Sequence, residues 1–320
     1  MTTFKEIRGT AIQSVSTDPT NPEIGQIWYN NTIGVLKGYK SLGGVWAAGG
    51  NLGTAKYAMG SAGTQTAALA FGGGTSPYST MPGASEEYDG STWSPGGTMG
   101  TARRQLAGAG TQTAALGFGG FITASVNNTE EYDGSTWSPG GSLGTARRLL
   151  GGAGTQTAGL AISGFIAPPA TTTATEEYDG STWTAGGALG TGRYRIAGAG
   201  TQTAGLAIGG TLFPPEVTVA TTDEYDGSTW TAGGNLNTAK NGLAGEGTQT
   251  ATIAFGSPAV SESYNGTSWT NGASLGTART NLGGAGTQTL AVGFGGGSPS
   301  SAATEEYTDP TLAVQTITTS

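Results

Sequence analysis

Short stretches of the chain alternate large apolar residues with small ones, which is the two-residue period of a β-strand. Leu69 and Phe71 alternate with Ala68 and Ala70, and residues 115–118 repeat the alternation. Because successive side chains of a strand point to opposite faces, each of these strands has one bulky face and one smooth face. We therefore expect the bulky face of one sheet to pack on the smooth, Gly- and Ala-rich face of the next.

The same alternation recurs inside a longer unit of four short strands, which we call A, B, C and D in chain order. In the second unit, strand A lies in 103–110, the turn TQT follows, strand B lies in 114–120, and strands C and D contain TEEYDG and STW. No stretch shows a 3.6-residue period with helix caps, whereas Gly and Asp-Gly turns recur every few residues. The pattern predicts an all-β fold with almost no helix.

Six copies of this unit are present. GTQT begins at Gly63, Gly110, Gly154, Gly200, Gly247 and Gly286. The tryptophans at 46, 93, 137, 183, 230 and 269 are 39 to 47 residues apart, which is the length of a propeller blade. We therefore predict a six-bladed β-propeller.

The first and last units are each incomplete. Five units contain a Tyr and a Trp five residues apart, but Tyr307 has no such Trp, and Trp46 has no strands A, B and C before it. We expect the strand around Trp46 to close the last blade, because closure protects strand edges. The competing closing strand, 311–318, lacks the Trp. The predicted domains are an N-terminal module (1–42), the propeller (43–310) and a C-terminal tail (311–320).

Composition removes most catalytic chemistry. The 320 residues include 60 Gly but only 13 Pro with no three-residue period, so collagen is excluded. Cys and His are both 0, which excludes disulfides, thiolate and Ser-His-Asp nucleophiles and nearly every zinc, copper or haem site. We expect no enzyme activity, cofactor or metal. The net charge of −8 without a basic stripe argues against nucleic acid, and no apolar window is long enough for a signal peptide or membrane span.

Charged residues recur at fixed places in the repeat, which favours a structural role over catalysis. We expect the acidic doublets at the start of strand C to pair with a cation before strand A. The doublets, or single acid, are Glu86/Glu87, Glu130/Glu131, Glu176/Glu177, Asp223/Glu224, Glu262 and Glu305/Glu306. The cations are Lys56, Arg103, Arg147, Arg193, Lys240 and Arg279. The Gln residues of GTQT are expected to hydrogen-bond between blades, and the Asp-Gly turns to need a positive φ at Gly.

A hydrophobic strand ending in Gly-Gly, then E-x-Y-D, a turn, a Trp and a following Arg resembles the Kelch repeat of galactose-oxidase-type propellers, from about Gly44 to Asp309. The GTQT-bearing repeats are also similar to propellers of marine bacteriophage virion and tail-fibre proteins. In the leader, PEIGQIWYNNTIGVLKGY resembles a module that precedes domains in phage fibre proteins. The resemblance implies that Trp28, Tyr29 and Tyr39 attach the protein to the virion. Galactose oxidase activity is not implied, because its copper site needs His and a Cys-modified Tyr.

The two faces of the predicted propeller differ in sequence. One carries the near-invariant GTQT and DGST turns, whereas the loops between strands B and C share nothing from copy to copy, as in a recognition surface on a rigid scaffold. Aromatic and Arg side chains there would contact a sugar or an acidic group. An equally weighted interpretation is that they pack on their own blades or on a virion neighbour. The candidates are Tyr57, Tyr78, Arg104, Phe121, Arg148, Phe165, Tyr194, Arg195, Phe213 and Asn241.

The resulting hypothesis is a non-enzymatic phage virion protein, made in the host cytoplasm, whose propeller recognises a host surface or a neighbouring virion protein. Expected partners are other virion proteins and a host surface glycan or protein, with homo-oligomerisation left open. One alternative is a capsid decoration or tail scaffold with protein contacts only. Another is a sialidase-like glycan hydrolase using Arg104, Arg148 or Arg195 with Tyr57 or Tyr194, because DGSTW resembles a shortened sialidase Asp-box. A Kelch adaptor would bring a partner domain, and none is present.

Overall fold

A computed structural model describes residues 12–19, 26–40, 44–76, 80–167, 170–297, 299–309 and 313–316. Contacts divide the chain into two compact units, residues 45–308 and residues 1–44 together with 309–320. Every regular element within the described ranges is a β-strand, so the predicted all-β class is confirmed. No helix in these ranges is long and apolar enough to cross a membrane.

The larger unit is propeller-like and consists of four-stranded antiparallel sheets, each with strands in the order A, B, C, D. Sheets 1 to 5 follow the repeats and have these bounds: Gly60–Thr64, Ala67–Phe71, Ala84–Tyr88 and Trp93–Thr98; Ala107–Thr111, Ala114–Phe118, Thr129–Tyr132 and Trp137–Pro139; Gly151–Thr155, Ala158–Ile162, Thr175–Tyr178 and Trp183–Ala185; Ala197–Gly200, Gly205–Ile208, Thr222–Tyr225 and Trp230–Ala232; Ala244–Thr248, Ala251–Phe255, Val260–Tyr264 and Trp269–Ser274. A small hairpin, Thr211–Leu212 with Val217–Thr218, lies between strands B and C of sheet 4.

Sheet 6 combines the two ends of the unit. Its strands A, B and C are Gly283–Gly286, Leu290–Phe294 and Thr304–Thr308, and its fourth strand is Val45–Ala48. Trp46 lies opposite Tyr307 in this ladder, which is the pairing predicted from the Tyr–Trp spacing.

Neighbouring sheets pack bulky face on smooth face, as the alternation predicts. A Cβ added to Gly117 of sheet 2 would lie only 2.8 Å from the Phe71 ring of sheet 1, and one added to Gly205 of sheet 4 would lie 2.7 Å from Leu160 of sheet 3. Each sheet shares one buried apolar cluster with the next, and a sixth cluster joins sheet 6 to sheet 1. Glycine therefore makes room for the large residue of the adjacent sheet.

The predicted pairing of repeated carboxylates with repeated cations is confirmed. The first acid of each doublet, or the single Glu262, makes the ion pair, and the cation is almost fully buried. The pairs are Lys56–Glu86 (2.9 Å), Arg103–Glu130, Arg147–Glu176 (3.0 Å), Arg193–Asp223 (2.6 Å), Lys240–Glu262 (3.6 Å) and Arg279–Glu305 (2.8 Å). The second acid accepts a hydrogen bond from a Tyr hydroxyl of the next sheet, as Glu131 does from Tyr178 at 2.5 Å.

The repeated turns make the hydrogen bonds that the sequence predicts. Gln156 donates from Nε2 to the carbonyl oxygens of Ala115 (3.1 Å) and Tyr132 (2.7 Å) in the preceding sheet. The other five Gln residues of GTQT make equivalent pairs of bonds. In the Asp-Gly turns, Gly90 has a φ of 92°. This face is a hydrogen-bonded frame that links each sheet to the next.

The smaller unit contains one sheet of four strands, Gln13–Val15, Ile27–Asn30, Val35–Lys40 and Ala313–Thr316, in that order. Its last strand belongs to the segment predicted as a C-terminal tail, and it pairs antiparallel with Val35–Lys40. Trp28 is fully buried and donates to Asp18 Oδ1 at 3.0 Å, whereas Tyr29 is exposed. Hydrogen bonds from Lys37, Asn30 and Trp28 lower the pKa of Asp18 to about 2.

Candidate functional site

The candidate site lies where the connection from strand D to strand A meets the loop between strands B and C, on the face that we call the variable face. Strands A and B are antiparallel, so the residue before A and the residue after B lie side by side. Single bridges make this contact in four sheets: Tyr57 with Gly74, Arg104 with Phe121, Arg148 with Phe165, and Tyr194 with Thr211. In each of these four sheets, a residue of the D-to-A connection therefore lies beside a residue of the B-to-C loop.

These residues form a continuous row across sheets 1 to 4, which we call the arginine–aromatic row. Arg104 donates a hydrogen bond to the Tyr57 hydroxyl, and its guanidinium carbon lies 5.3 Å from the centroid of Phe121. The Arg148 guanidinium lies between two rings, 4.7 Å from the centroid of Phe121 and 4.8 Å from that of Phe165. A cation at this distance from an aromatic ring face is attracted to the negative face of the ring.

The row continues into sheet 4 through ring contacts. Phe165 packs edge-on against Tyr194 at 5.4 Å and against Phe213 at 5.9 Å between ring centroids. The Arg195 guanidinium lies 5.6 Å from the centroid of Tyr194. Sheets 1 to 4 thus share one surface feature, and sheet 5 adds Asn241, which donates from Nδ2 to Thr218 Oγ1 at 2.6 Å.

The row has a positive electrostatic character. Burial, and after it the positive charge of Arg104, lowers the pKa of Arg148, whose guanidinium donates to Ser125 Oγ at 3.2 Å. Within the described ranges, neither Arg148 nor Arg195 makes an ion pair. Arg195 Nε is also buried without a hydrogen-bond partner there. An anion at this place would give Arg148 and Arg195 the ion-pair partner that no described residue provides.

The candidates differ in accessibility. Tyr57, Phe165 and Tyr194 are 8%, 9% and 7% exposed, so they form the floor of the row and offer a ligand only a small part of their surface. The three arginines, Phe121, Phe213 and Asn241 are partly exposed. Tyr78 lies outside the described residues. Trp28, Tyr29 and Tyr39 belong to the smaller unit, where the backbone of Tyr39 lies opposite Val314.

Sequence reasoning missed the polar partners of the row. Tyr194 donates a hydrogen bond from its hydroxyl to Glu216 in the loop between strands B and C, and burial together with this carboxylate raises the pKa of Tyr194 to about 12. Ser125 and Thr218 lie in equivalent loops. Because these loops share no letters between copies, no repeat pattern marks Glu216, Ser125 or Thr218 in advance.

Beside the row, the residue two positions before strand A has a positive φ in every repeat, between 51° and 60°. These residues are Ala58, Gln105, Leu149, Arg195, Gly242 and Asn281. Each donates its backbone N–H to the carbonyl of the equivalent residue in the preceding sheet, at 2.6 to 2.9 Å. Ala58 of sheet 1 donates to Asn281 of sheet 6, so these hydrogen bonds link all six sheets in turn. These residues and the strands A of all six sheets line an open cavity of about 260 Å³.

The fold and this face define a propeller-like β protein with a positively charged aromatic surface built from variable loops. The chain matches no family model, and no curated protein matches it in sequence.

Proposed function

We propose that residues 45–308 form a six-bladed, Kelch-like β-propeller in which Val45–Ala48 closes the last blade. Three observations support this proposal: the six buried clusters between successive sheets, the backbone hydrogen bonds that run from Ala58 through each repeat to Asn281, and the cavity lined by strand A of each sheet. Such a ring holds loops from different blades in fixed positions around one axis.

The propeller serves recognition, and its ligand is an anionic glycan bound at the arginine–aromatic row. The observation that carries this proposal is Arg148, whose guanidinium lies between Phe121 and Phe165 with no ion pair among the described residues. A guanidinium binds a carboxylate or sulfate through two parallel hydrogen bonds, and aromatic rings pack on sugar faces. The two ring contacts and the bond to Ser125 hold the Arg148 side chain in place before the ligand arrives.

The setting that we propose is a bacteriophage particle. The resemblance of the repeats and of the leader to phage virion proteins supports it, with residues 1–42 attaching the protein. Tyr29 is exposed and suits such a contact, whereas Trp28 is fully buried and supports the small sheet instead. In this proposal the partners are other virion proteins on one side and a host surface glycan or protein on the other. An electron cryo-microscopy map of particles would show whether the loops around Phe121 and Phe165 face solvent or another subunit, and burial there would favour a scaffold or decoration protein.

A glycan array with sialylated, uronic-acid, sulfated and neutral glycans tests the ligand. We expect binding to the acidic glycans only, and a loss of about 10- to 100-fold in Arg148→Ala, the usual cost of losing a hydrogen bond between charged groups. The matched variant Arg148→Lys keeps the charge and loses the planar fork, so its affinity should fall between the two. Equal binding by the wild type and Arg148→Ala, with unchanged unfolding midpoints, would refute glycan recognition at this row.

A second candidate is a glycan hydrolase with a tyrosine nucleophile, and the hydrogen bond from Tyr194 to Glu216 favours it. In such an enzyme the carboxylate accepts the phenol proton as the tyrosine oxygen bonds to the anomeric carbon, and the bond from that carbon to the leaving-group oxygen breaks. The leaving group takes a proton from water, and a second water then hydrolyses the bond between the sugar and the tyrosine. A tyrosine phenol is protonated at neutral pH, and the raised pKa of Tyr194 makes its proton harder to remove, so Glu216 would be essential as the base. Release of fluorophore from a fluorogenic glycan, abolished in Tyr194→Phe, would establish this activity in place of simple binding.

A further inference from the structure

The cavity lined by the six strands A contains one acidic side chain, Glu246. At the same position of strand A, the other five repeats have alanine: Ala62, Ala109, Ala153, Ala199 and Ala285. Among the described residues that line the cavity, the only other ionisable one is Arg195, two residues before its strand A. Glu246 is therefore the only residue other than Ala at this position of the repeat, and it lies in a cavity that strands A of all six sheets line.

The neighbouring sheet leaves space for this carboxylate. Glu246 Oε1 lies 2.6 Å from the point where a Cβ on Gly284 of sheet 6 would stand, so any larger residue at 284 would clash with it. The backbone N–H of Gly284 is directed to Ser61 Oγ of sheet 1, at 3.3 Å. Ser61 is itself a departure, because the other five repeats have Gly at that position. The two polar departures thus flank the same glycine.

Nothing in the described residues neutralises Glu246. It makes no ion pair, and no described residue donates a hydrogen bond to its carboxylate. Glu246 is partly exposed to the cavity, and burial among the strands A raises the pKa of its carboxyl to about 8, because partial loss of water without a counter-charge disfavours the charged form.

The surroundings of Glu246 are rich in oxygen. Strand A is the edge strand of each sheet and lines the cavity, so strand A residues supply the backbone oxygens nearest to it. Carbonyl, hydroxyl and carboxylate oxygens are the ligands of hard cations, and the absence of Cys and His leaves no softer donor. No three acidic side chains converge in the described parts of the chain, so a divalent ion would keep uncompensated charge.

We propose that this cavity binds a monovalent cation, an alkali-metal ion or ammonium, with the Glu246 carboxylate as its counter-charge and Ser61 and the strand A carbonyls as neutral oxygen ligands. The single negative charge matches a single positive one, and the repeat provides the space by keeping Gly at 284. The ion would join strands A of sheets 5, 6 and 1, where the alanine repeat is interrupted. This proposal does not depend on glycan recognition by the arginine–aromatic row.

Thermal unfolding in KCl and in choline chloride at equal ionic strength tests the proposal, because choline is too large to be enclosed by carbonyl oxygens. We expect the wild type to unfold about 3 °C higher in KCl once the ion is at roughly ten times its Kd. Glu246→Gln, which keeps the shape and removes the charge, should show no difference between the salts. Glu216→Gln removes a carboxylate from the variable face and should keep the full response to KCl.

Two further measurements separate ion binding from simple protonation. At pH 7 the Glu246 carboxyl is mostly protonated, so binding of K⁺ should release a proton into a weakly buffered solution in the wild type and not in Glu246→Gln. Crystals soaked in thallium(I) should show anomalous density beside the Glu246 carboxylate. Equal unfolding temperatures in the two salts, no proton release and no thallium peak in the cavity would overturn the proposal and leave Glu246 as a neutral acid.

Discussion

The two faces of the larger unit differ in how their side chains make contacts. The contacts repeat from sheet to sheet on one face and change from sheet to sheet on the other. On the face of the GTQT and DGST turns, which we call the repeat face, the Gln of GTQT makes the same bonds in every sheet, as Gln156 and Gln249 do to two carbonyl oxygens of the preceding sheet. On the variable face, Arg148 contacts two rings, whereas the residue at the same place in sheet 5 is Asn241, bonded to Thr218.

This contrast separates structure from candidate function without any alignment of relatives. A residue repeated in each sheet has its partners within the repeat, because the next copy supplies the matching group. A residue that occurs once must find its partner in its own loop or outside the chain. Arg195 and Glu246 are of this second kind, and Arg148 shares its position only with Arg104. In the described residues, Arg148, Arg195 and Glu246 make no ion pair.

The sharpest test of the contrast compares two adjacent arginines. Arg147 is fully buried, paired with Glu176 at 3.0 Å, and donates to the Ala174 carbonyl at 2.9 Å. Arg147→Ala leaves a buried carboxylate unpaired and should cost about 3–5 kcal/mol of unfolding free energy. Arg148→Ala removes a half-buried side chain without an ion pair and should cost less than about 1 kcal/mol.

Urea unfolding of both variants measures these free energies, and the glycan array measures ligand binding by the same two variants. Arg147→Ala should lose stability, whereas Arg148→Ala should lose ligand. If the two variants lose similar stability, the division between the repeated and the variable positions is wrong for this pair.

A second test concerns the packing between sheets. Gly117→Ala places a methyl group 2.8 Å from the Phe71 ring, and such overpacking should cost about 1–3 kcal/mol. Gly190 is the matched control, because a Cβ there meets nothing within 4 Å and its φ is not in the left-handed region. Gly190→Ala should be neutral or stabilising by up to about 1 kcal/mol, since it restricts the unfolded chain. Equal effects of the two substitutions in denaturant unfolding would show that the sheets tolerate added volume.

Much of the fold could be predicted from the sequence because the repeat multiplies each signal. The strand alternation around Leu69 and Phe71 predicted the packing, and the Tyr–Trp spacing predicted that Trp46 lies opposite Tyr307. The strand Ala313–Thr316 was not predicted, since it pairs with Val35–Lys40 and neither segment belongs to the repeat. Long-range pairing without a repeated or alternating pattern leaves no local signal in one sequence.

The candidate site could be predicted only in part, for the same reason. Position within the repeat placed Arg104, Arg148 and Phe165 on one face, and the structure brings them into one row. Position within the repeat did not predict that Tyr57 and Phe165 are buried, nor that Glu216 lies beside Tyr194. These features depend on loop conformation, which is set by tertiary contacts and not by periodicity.

A third test removes one bond pair from the repeat face. Gln156→Ala leaves the carbonyl oxygens of Ala115 and Tyr132 without their donor and should cost about 1–2 kcal/mol. Gln249 makes the equivalent bonds to Gly205 and Tyr225 elsewhere in the unit, so Gln249→Ala should cost the same. The double variant, compared with the two single variants by urea unfolding, should show additive losses, because the sites share no partner. A double loss well above the sum would indicate that the frame acts as one cooperative network.

The smallest effect is expected from an Asp-to-Asn substitution in the Asp-Gly turns, because the turn of sheet 5 already has Asn265 in place of Asp. Asp89 Oδ1 accepts hydrogen bonds from the backbone N–H groups of Thr92 (2.7 Å) and Ser91 (2.8 Å), and the equivalent Asn265 accepts the same two bonds at 2.9 Å from Ser268 and 3.0 Å from Thr267. Asp89→Asn should therefore hardly change the unfolding temperature at pH 7.

The pH dependence of this exchange has a definite sign. Hydrogen bonds from the Thr92 backbone N–H and from Ser91 lower the pKa of Asp89 from 3.8 to about 2. A carboxyl whose pKa is lower in the folded state stabilises the fold above pH 4, and this stabilisation is lost as the pH falls towards 2. The unfolding temperature of Asp89→Asn, relative to the wild type, should thus rise between pH 4 and pH 2, and the reverse exchange Asn265→Asp should show the opposite trend. A difference that stays constant with pH in both variants would mean that the charge of the turn carries no stability, and that its geometry alone explains why the repeat keeps Asp or Asn there.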